Sequence, residues 1–251
     1  MLVPLLVVLY YPDKETIFRL LEIQKNSYLH VYDNTPTKNN EYSEIFLNYN
    51  KSGKNDGITG AILWMIKQSK LSKINNFIFF DQDTYLEKRI YNLIKNKVDF
   101  LTNDINIIHF TSKKNNKLNY RFVINSGSIF NINFLIRNIE ILNDYFVDAV
   151  DLALCAASHN EGCAVQLHVI EGIDHVCGQG YEEWSILFSK QKIKTYKKER
   201  RCEFYSAHFK LLRSLIRINQ FVDSALIIKF IIGFYLQQFK ADFFIKFGQK
   251  L

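Results

Sequence analysis

Leu2 to Tyr10 is a run of Leu and Val broken only by Pro4, and Phe77-Ile78-Phe79-Phe80 is a second, shorter apolar run. Strands this apolar have no face left for solvent, which is the signature of a largely parallel sheet covered by helices on both sides. The segments between them agree. Asp13 to Gln24 places Ile17, Leu20, Leu21 and Ile23 at helical spacing behind a candidate N-cap, Asp13. Leu29 to Tyr32 reads as a strand ending in the turn cluster Asp33-Asn34-Thr35-Pro36, Glu44 to Leu47 as another strand, and Gly57 to Lys70 as a helix.

The resulting order is strand, helix, strand, strand, helix, strand, which predicts an α/β domain with a mixed, mostly parallel sheet flanked by helices. Ligands of such sheets bind beyond the carboxyl ends of the strands. Asp33 and Asp81-Gln82-Asp83 both stand at such ends, so the first half of the chain puts its acids on one rim. In the second half, Ile105 to Phe110 and Arg121 to Ile124 read as strands joined by the loop Thr111 to Asn119. Asn125-Ser126-Gly127-Ser128 is a turn, and Asp144 to Ala157 has near-helical spacing. Lys190 to Arg201 is a basic run, and Phe204 to Leu251 is a helical, aromatic tail. The expected division is a domain over 1–203 and a helical extension over 204–251.

Composition narrows the class. With 48% apolar and 23% charged residues, ten Gly and three Pro in 251 residues, the chain can fill a core and is neither disordered nor collagen-like. The net charge of +7 suits nucleic acid, anionic lipid or phosphorylated small molecules, or simply a solvated lysine-rich surface. The four cysteines form no C-x-x-C pair, and Met1 to Tyr11 lacks the charged start of a leader and runs into Pro12-Asp13. The expectation is a cytoplasmic protein with reduced thiols. No stretch reaches the ~20 uncharged apolar residues of a spanning helix.

Two acidic groups carry chemistry. Asp81 and Asp83, one residue apart after a buried strand, can offer oxygens to Mg²⁺, which takes few protein carboxylates and completes its shell with water and phosphates. An N-cap or turn role explains the same pattern. Asp148 and Asp151, three apart, would share a helix face, and their repulsion would raise one pKa, as suits a general base. An acidic helix N-terminus explains them equally well.

These segments together resemble the family 2 glycosyltransferases, specifically the rhamnosyltransferase-like branch of bacterial O-antigen and surface-polysaccharide assembly. The resemblance starts at Val7-Val8-Leu9-Tyr10-Tyr11-Pro12 and runs through Asp33-Asn34-Thr35, Asn55-Asp56-Gly57-Ile58-Thr59-Gly60-Ala61 and Phe80-Asp81-Gln82-Asp83-Thr84. It continues through Asn125-Ser126-Gly127-Ser128, Tyr145 to Asp151 with Cys155, Asp174-His175-Val176-Cys177-Gly178, and Phe204-Tyr205 to Leu211-Leu212. It implies a GT-A-like nucleotide-sugar-binding domain, inversion at the anomeric carbon, and Mg²⁺ or Mn²⁺ as cofactor.

Carried over by position, Tyr10, Asp33, Asn55, Gly57 and Asp81 would bind the donor nucleotide, and Asp81, Asp83 and His175 would hold the metal. Asp151 would deprotonate the acceptor hydroxyl, with Asn125, Ser126, Gly127 and Asp148 assisting around the acceptor. The implied partners are a nucleotide-diphosphate sugar and a polyprenyl-diphosphate-linked glycan. The family's acid and Arg beyond the base are replaced by Ala153 and Ala157, so a catalytically weakened, glycan-binding or partner-binding relative is the alternative reading.

Three weaker signals remain. Cys155, His159, Cys163, His168, His175 and Cys177 invite a zinc reading, but their spacing lacks the paired pattern of structural sites, and buried thiols are the simpler account. Lys190 to Arg201 would meet a diphosphate or an anionic membrane, or lie solvated in a loop; no stacking motif supports nucleic acid. Phe221 to Phe247 would lie on a membrane interface, placing the protein at the inner membrane's cytoplasmic face, or pack internally or form a homodimer.

Overall fold

Strand β1 (Leu5–Leu9) is buried along its whole length and pairs in parallel on both sides, with β2 (Leu29–Asp33) and with β4 (Asn76–Asp81). β3 (Tyr49–Lys51) adds in parallel to β2 at the edge. On the other side β7 (Ser128–Asn131) runs antiparallel to β4 and to β6 (Ile105–Thr111), and β8 (Ala164–Val169) lies parallel to β6. The sheet order is β3-β2-β1-β4-β7-β6-β8, mixed and mostly parallel as the sequence implied. The computed structural model describes residues 3–37, 42–86, 88–95, 105–112, 121–170, 173–175, 181–186 and 189–250. They form two compact units, Met1–His175 and Val176–Leu251.

Side chains alternate across the first unit's sheet. Leu5, Val7, Leu9, Val31, Ile78 and Phe80 join Ile17 and Leu20 of helix α1 (Lys14–Gln24) in one core cluster. Leu6, Val8, Phe77 and Phe79 take the opposite face, where Ile62 and Met65 of α2 (Gly57–Ser72) are also fully buried. Asp13 caps α1, its carboxylate accepting from the Thr16 N–H at 2.7 Å. The remaining helices of this unit are α3 (Lys88–Lys95), α4 (Ile132–Arg137), α5 (Ile139–Asp144) and α6 (Val150–Asn160). Two short strands, β5 (Thr84–Leu86) and β9 (Ile173–His175), pair antiparallel and set Thr84 opposite His175.

Several local expectations are corrected. Glu44 to Leu47 forms turns, and the edge strand begins at Tyr49, where the Val31 N–H has already found the Asn48 carbonyl. Arg121 to Ile124 is irregular because Val123 gives its backbone groups to the Cys155 thiol, and the strand forms later, from Ser128. Asp144 to Ala157 is not one helix. α5 stops at Asp144, and Ala149 adopts a left-handed φ of 63° before α6 starts at Val150. Asp148 therefore precedes the helix that bears Asp151.

In the second unit, β10 (Tyr181–Ile186) and β11 (Ser189–Lys194) precede α7 (Lys198–Arg217) and α8 (Phe221–Phe247), and β12 (Gln249–Lys250), after α8, completes an antiparallel sheet of order β11-β10-β12. The basic run is thus split between a strand and a helix. The unit begins before the 203/204 boundary read from the sequence, because Trp184 and Ile193 of the hairpin pack on Ala241 and Phe244 of α8. Phe204 stacks on Phe234 at 3.8 Å and on His208 at 3.9 Å, and Arg201 grips the Asp242 carboxylate with two hydrogen bonds of 2.6 and 2.7 Å. α8 is long and apolar enough to cross a membrane by length and composition, since Lys229 is the sole charge between Asp223 and Lys240.

Candidate active site

The parallel strands end on one rim, and β1 has β2 on one side and β4 on the other. That change of direction opens a crevice beyond the strand ends, where α/β sheets bind ligands. One side chain spans it: the Gln82 carboxamide accepts from the Tyr10 N–H at 2.8 Å and donates to the Tyr10 carbonyl at 3.0 Å. Arg19 of α1 donates to the Gln82 carbonyl. Tyr11, with a left-handed φ of 47°, donates its N–H to Thr35 Oγ1, and the exposed rings of Tyr10 and Tyr11 meet edge to face.

Behind Asp81 stands the Asn125-Ser126-Gly127 turn. Asp81 N–H donates to Ser126 Oγ at 3.0 Å, and Ser126 Oγ lies 2.6 Å from Thr84 Oγ1. Gly127, at φ 86°, gives its N–H to the Phe79 carbonyl and accepts from Phe110 N–H. A Cβ there would come within 2.8 Å of the Phe110 carbonyl oxygen, so glycine is required. Asn125 is buried, and its Oδ1 has no hydrogen-bond partner among the described residues.

The carboxylates converge here. Burial pushes Asp81 up to about 7, and the neighbouring charges of Asp83 and Asp151 push in the same direction. Asp151, in the first turn of α6, is raised to about 6 by burial and by Asp148, against the pull of the Leu152 N–H it accepts at 2.9 Å. Acids from β4 and α6 therefore share one partly buried crevice. Repelling carboxylates of this kind suit a hard divalent cation, which would relieve them. Among the described residues no three His, Cys, Asp or Glu side chains form a metal cluster alone. Asp81 and Asp83 fit a cation that draws its remaining ligands from water and phosphate. The backbone of His175 lies opposite Thr84, beside these acids, while its side chain falls outside the described residues.

Asp33, which the resemblance assigns to the donor nucleotide, stands at the end of β2. It is fully buried, with Oδ1 accepting from Thr35 N–H at 2.8 Å and Oδ2 binding Tyr49 Oη at 2.7 Å and Lys51 Nζ at 3.1 Å. Burial alone would raise its pKa, but these partners outweigh it and hold the carboxyl below its usual value. Asp33 thus ties β2 to β3.

Asn55 is exposed and accepts from the Gly57 N–H at 3.0 Å. Gly57, at φ 68°, abuts Phe146, whose carbonyl accepts from Ile58 N–H at 3.1 Å, so the start of α2 anchors the segment that leads to Asp148 and Asp151. The Asn34 side chain holds the same loop, accepting from Asp56 N–H and donating to the Gly57 carbonyl. A cleft of about 710 Å³ lined by Tyr32, Asp56, Gly60, Trp64, Tyr145 and Phe146 lies on the outer side of this anchor and includes none of Asp81, Asp83 and Asp151. Sequence reading missed Gln82, Arg19 and Asn34 as organisers; they act through backbone groups, which leave no spacing pattern.

No protein-family model matches the chain, and no curated protein matches it significantly. Among solved structures it resembles S. aureus TarS 1-349 in complex with UDP-GlcNAc, with a TM-score of 0.51 and 13% identity over 86% of this chain and 67% of that one. A second TarS 1-349 structure gives a TM-score of 0.48 and 14% identity over 69% of this chain, which spans 59% of that fragment. A cytidylyltransferase from Leptospira borgpetersenii gives a TM-score of 0.46 and 13% identity over 69% of this chain and 78% of that one. The likeness shows the fold, a GT-A-like α/β sheet flanked by helices.

Proposed function

We propose that this protein transfers a sugar from a nucleotide-diphosphate donor to a hydroxyl of a glycan acceptor, inverting the anomeric carbon, with Mg²⁺ or Mn²⁺ bound. One observation carries the reading: Asp81 responds to the charges of both Asp83 and Asp151, so two chain segments far apart in sequence supply carboxylates to one crevice. The fold shared with TarS, whose structure holds UDP-GlcNAc, supports a nucleotide-sugar donor.

Asp81 and Asp83, with His175, would hold the cation, which when bound neutralises charge on the leaving diphosphate. Asp151, titrating near 6, is mostly ionised at neutral pH and accepts the hydroxyl proton. The acceptor oxygen then bonds to the anomeric carbon as the carbon–oxygen bond to the diphosphate breaks, its electron pair leaving with phosphate. Ser126 fixes the Asp81 backbone through its N–H. Burial keeps the base's pKa high enough to take a proton, and the Asp148 charge adds to it. Asn125, buried with an oxygen that has no partner among the described residues, is assigned to an acceptor or donor hydroxyl. Tyr10 and Tyr11 offer exposed rings for the nucleoside at the mouth. We take rhamnose or another hexose as the sugar, and a polyprenyl-diphosphate-linked glycan as the acceptor.

The test is a panel of thymidine- and uridine-diphosphate sugars with Mn²⁺, read by thermal stabilisation and then by transfer. The expected result is metal-dependent stabilisation by one nucleotide class, with turnover. Stabilisation without turnover would identify a binding protein, and no response to any nucleotide diphosphate would overturn the reading.

A further inference from the structure

The second unit carries a charge and a surface that the transfer chemistry does not use. Residues 176–251 contain 14 of the 32 Lys and Arg but six of the 25 Asp and Glu, so the whole positive excess of the chain lies there. α8 buries one stripe, through Ile227, Ile231, Gln238, Ala241 and Phe244. A neighbouring stripe is also apolar: Phe221, Ile228, Ile232, Tyr235, Phe239 and Phe243 recur at helical spacing and stay exposed, Phe239 at 61% and Tyr235 at 58%. An exposed apolar face of this length marks an interaction site.

The charges on α8 identify the occupant. Its two acids are withdrawn: Asp223 is buried, and Asp242 is bound by Arg201. The helix also carries Lys229, Lys240 and Lys246, and Lys240 and Lys246 lie over the Phe244 and Phe247 rings, with ammonium groups 5.9 and 5.2 Å from the ring centroids. An apolar stripe flanked by cations matches an anionic bilayer surface, with rings at the acyl boundary and ammonium groups among headgroups. A second copy of the chain would bring two strongly positive units together, which charge complementarity opposes. Spanning would carry lysines and Gln237-Gln238 into hydrocarbon, which is costly.

We propose that α8 lies in the plane of an anionic phospholipid bilayer and docks the protein there. This goes beyond the transfer reaction and does not depend on it.

The full chain is floated with phosphatidylcholine vesicles and with mixed phosphatidylcholine–phosphatidylglycerol vesicles, at low and high salt. Tyr235→Asp/Phe239→Asp is compared with wild type, its fold checked by circular dichroism, and Lys229→Glu/Lys240→Glu serves as a second variant. Wild type should bind the anionic vesicles, weakly the neutral ones, and lose binding in salt. Each variant should lose about tenfold or more while keeping the wild-type circular dichroism spectrum and melting temperature. Vesicle binding that is absent, or equal in the variants, would overturn the proposal. So would a wild-type dimer that the aromatic substitutions dissociate, salt-sensitive capture of RNA in place of lipid, or membrane association that only detergent releases.

Discussion

Asp81→Asn should make the metal-free protein more stable while removing its function. An aspartate ordinarily titrates near 3.8, whereas Asp81 in the fold titrates at about 7 because burial and the charges of Asp83 and Asp151 oppose its ionisation. Between those values the folded chain holds a proton that the unfolded chain has lost. Stability contributed at this site therefore falls as pH rises from about 4 to about 7, and is level above. The difference between 3.8 and about 7 corresponds to about 4 kcal/mol at full ionisation. Asparagine keeps the shape without the charge, so in EDTA the variant should exceed wild type by about 4 kcal/mol near pH 8, and by less than half of that near pH 5. Urea unfolding at the two pH values measures both gaps. Mn²⁺ should then raise the melting temperature of wild type at pH 8 and leave the variant almost unmoved. A variant less stable than wild type near pH 8, or a gap that ignores pH, would refute the raised pKa of Asp81.

Gly57→Ala forces a Cβ onto the Phe146 carbonyl at a left-handed φ, and should cost at least about 3 kcal/mol in chemical denaturation. Lys51→Met breaks the buried pair with Asp33, which keeps only Thr35 and Tyr49, and should cost about 3 kcal/mol by the same assay. The single-turnover rate of transfer should fall tenfold per pH unit below about 6, where Asp151 takes up its proton, and level off above. Asp148→Asn should move that inflection to lower pH, because it removes a like charge beside the base.

The fold was legible where burial is complete. β1 and β4 are apolar at nearly every position because both faces are covered, and Asp13 signals its helix through a side chain that really caps it. Legibility failed where backbone groups are satisfied by unusual partners. A strand at Arg121 to Ile124 is indicated by composition, but the Cys155 thiol takes the Val123 N–H and carbonyl. The helical spacing of Asp144 to Ala157 hides the break at Phe146, whose carbonyl is claimed by α2, and at Ala149. The expected site acids stand out in the sequence because Asp33, Asp81 and Asp83 follow apolar runs, whereas nothing in the spacing places Asp151 near them. Gln82, Arg19 and Asn34 were silent because an amide or guanidinium that binds backbone looks like any surface residue until its partner is placed. Asp33 shows the converse: a well-placed acid that an unremarkable lysine and tyrosine turn into a structural tie.

If the acids of β4 hold the metal and the acid of α6 takes the proton, two substitutions separate the roles. Donor binding, by Mn²⁺-dependent thermal stabilisation, and sugar transfer are measured side by side in Asp83→Ala and Asp151→Asn. Asp83→Ala should lose the metal-dependent stabilisation, whereas Asp151→Asn should keep it and lose transfer by about 100-fold or more. Transfer near the wild-type rate in Asp151→Asn, or undiminished metal-dependent binding in Asp83→Ala, would contradict these roles.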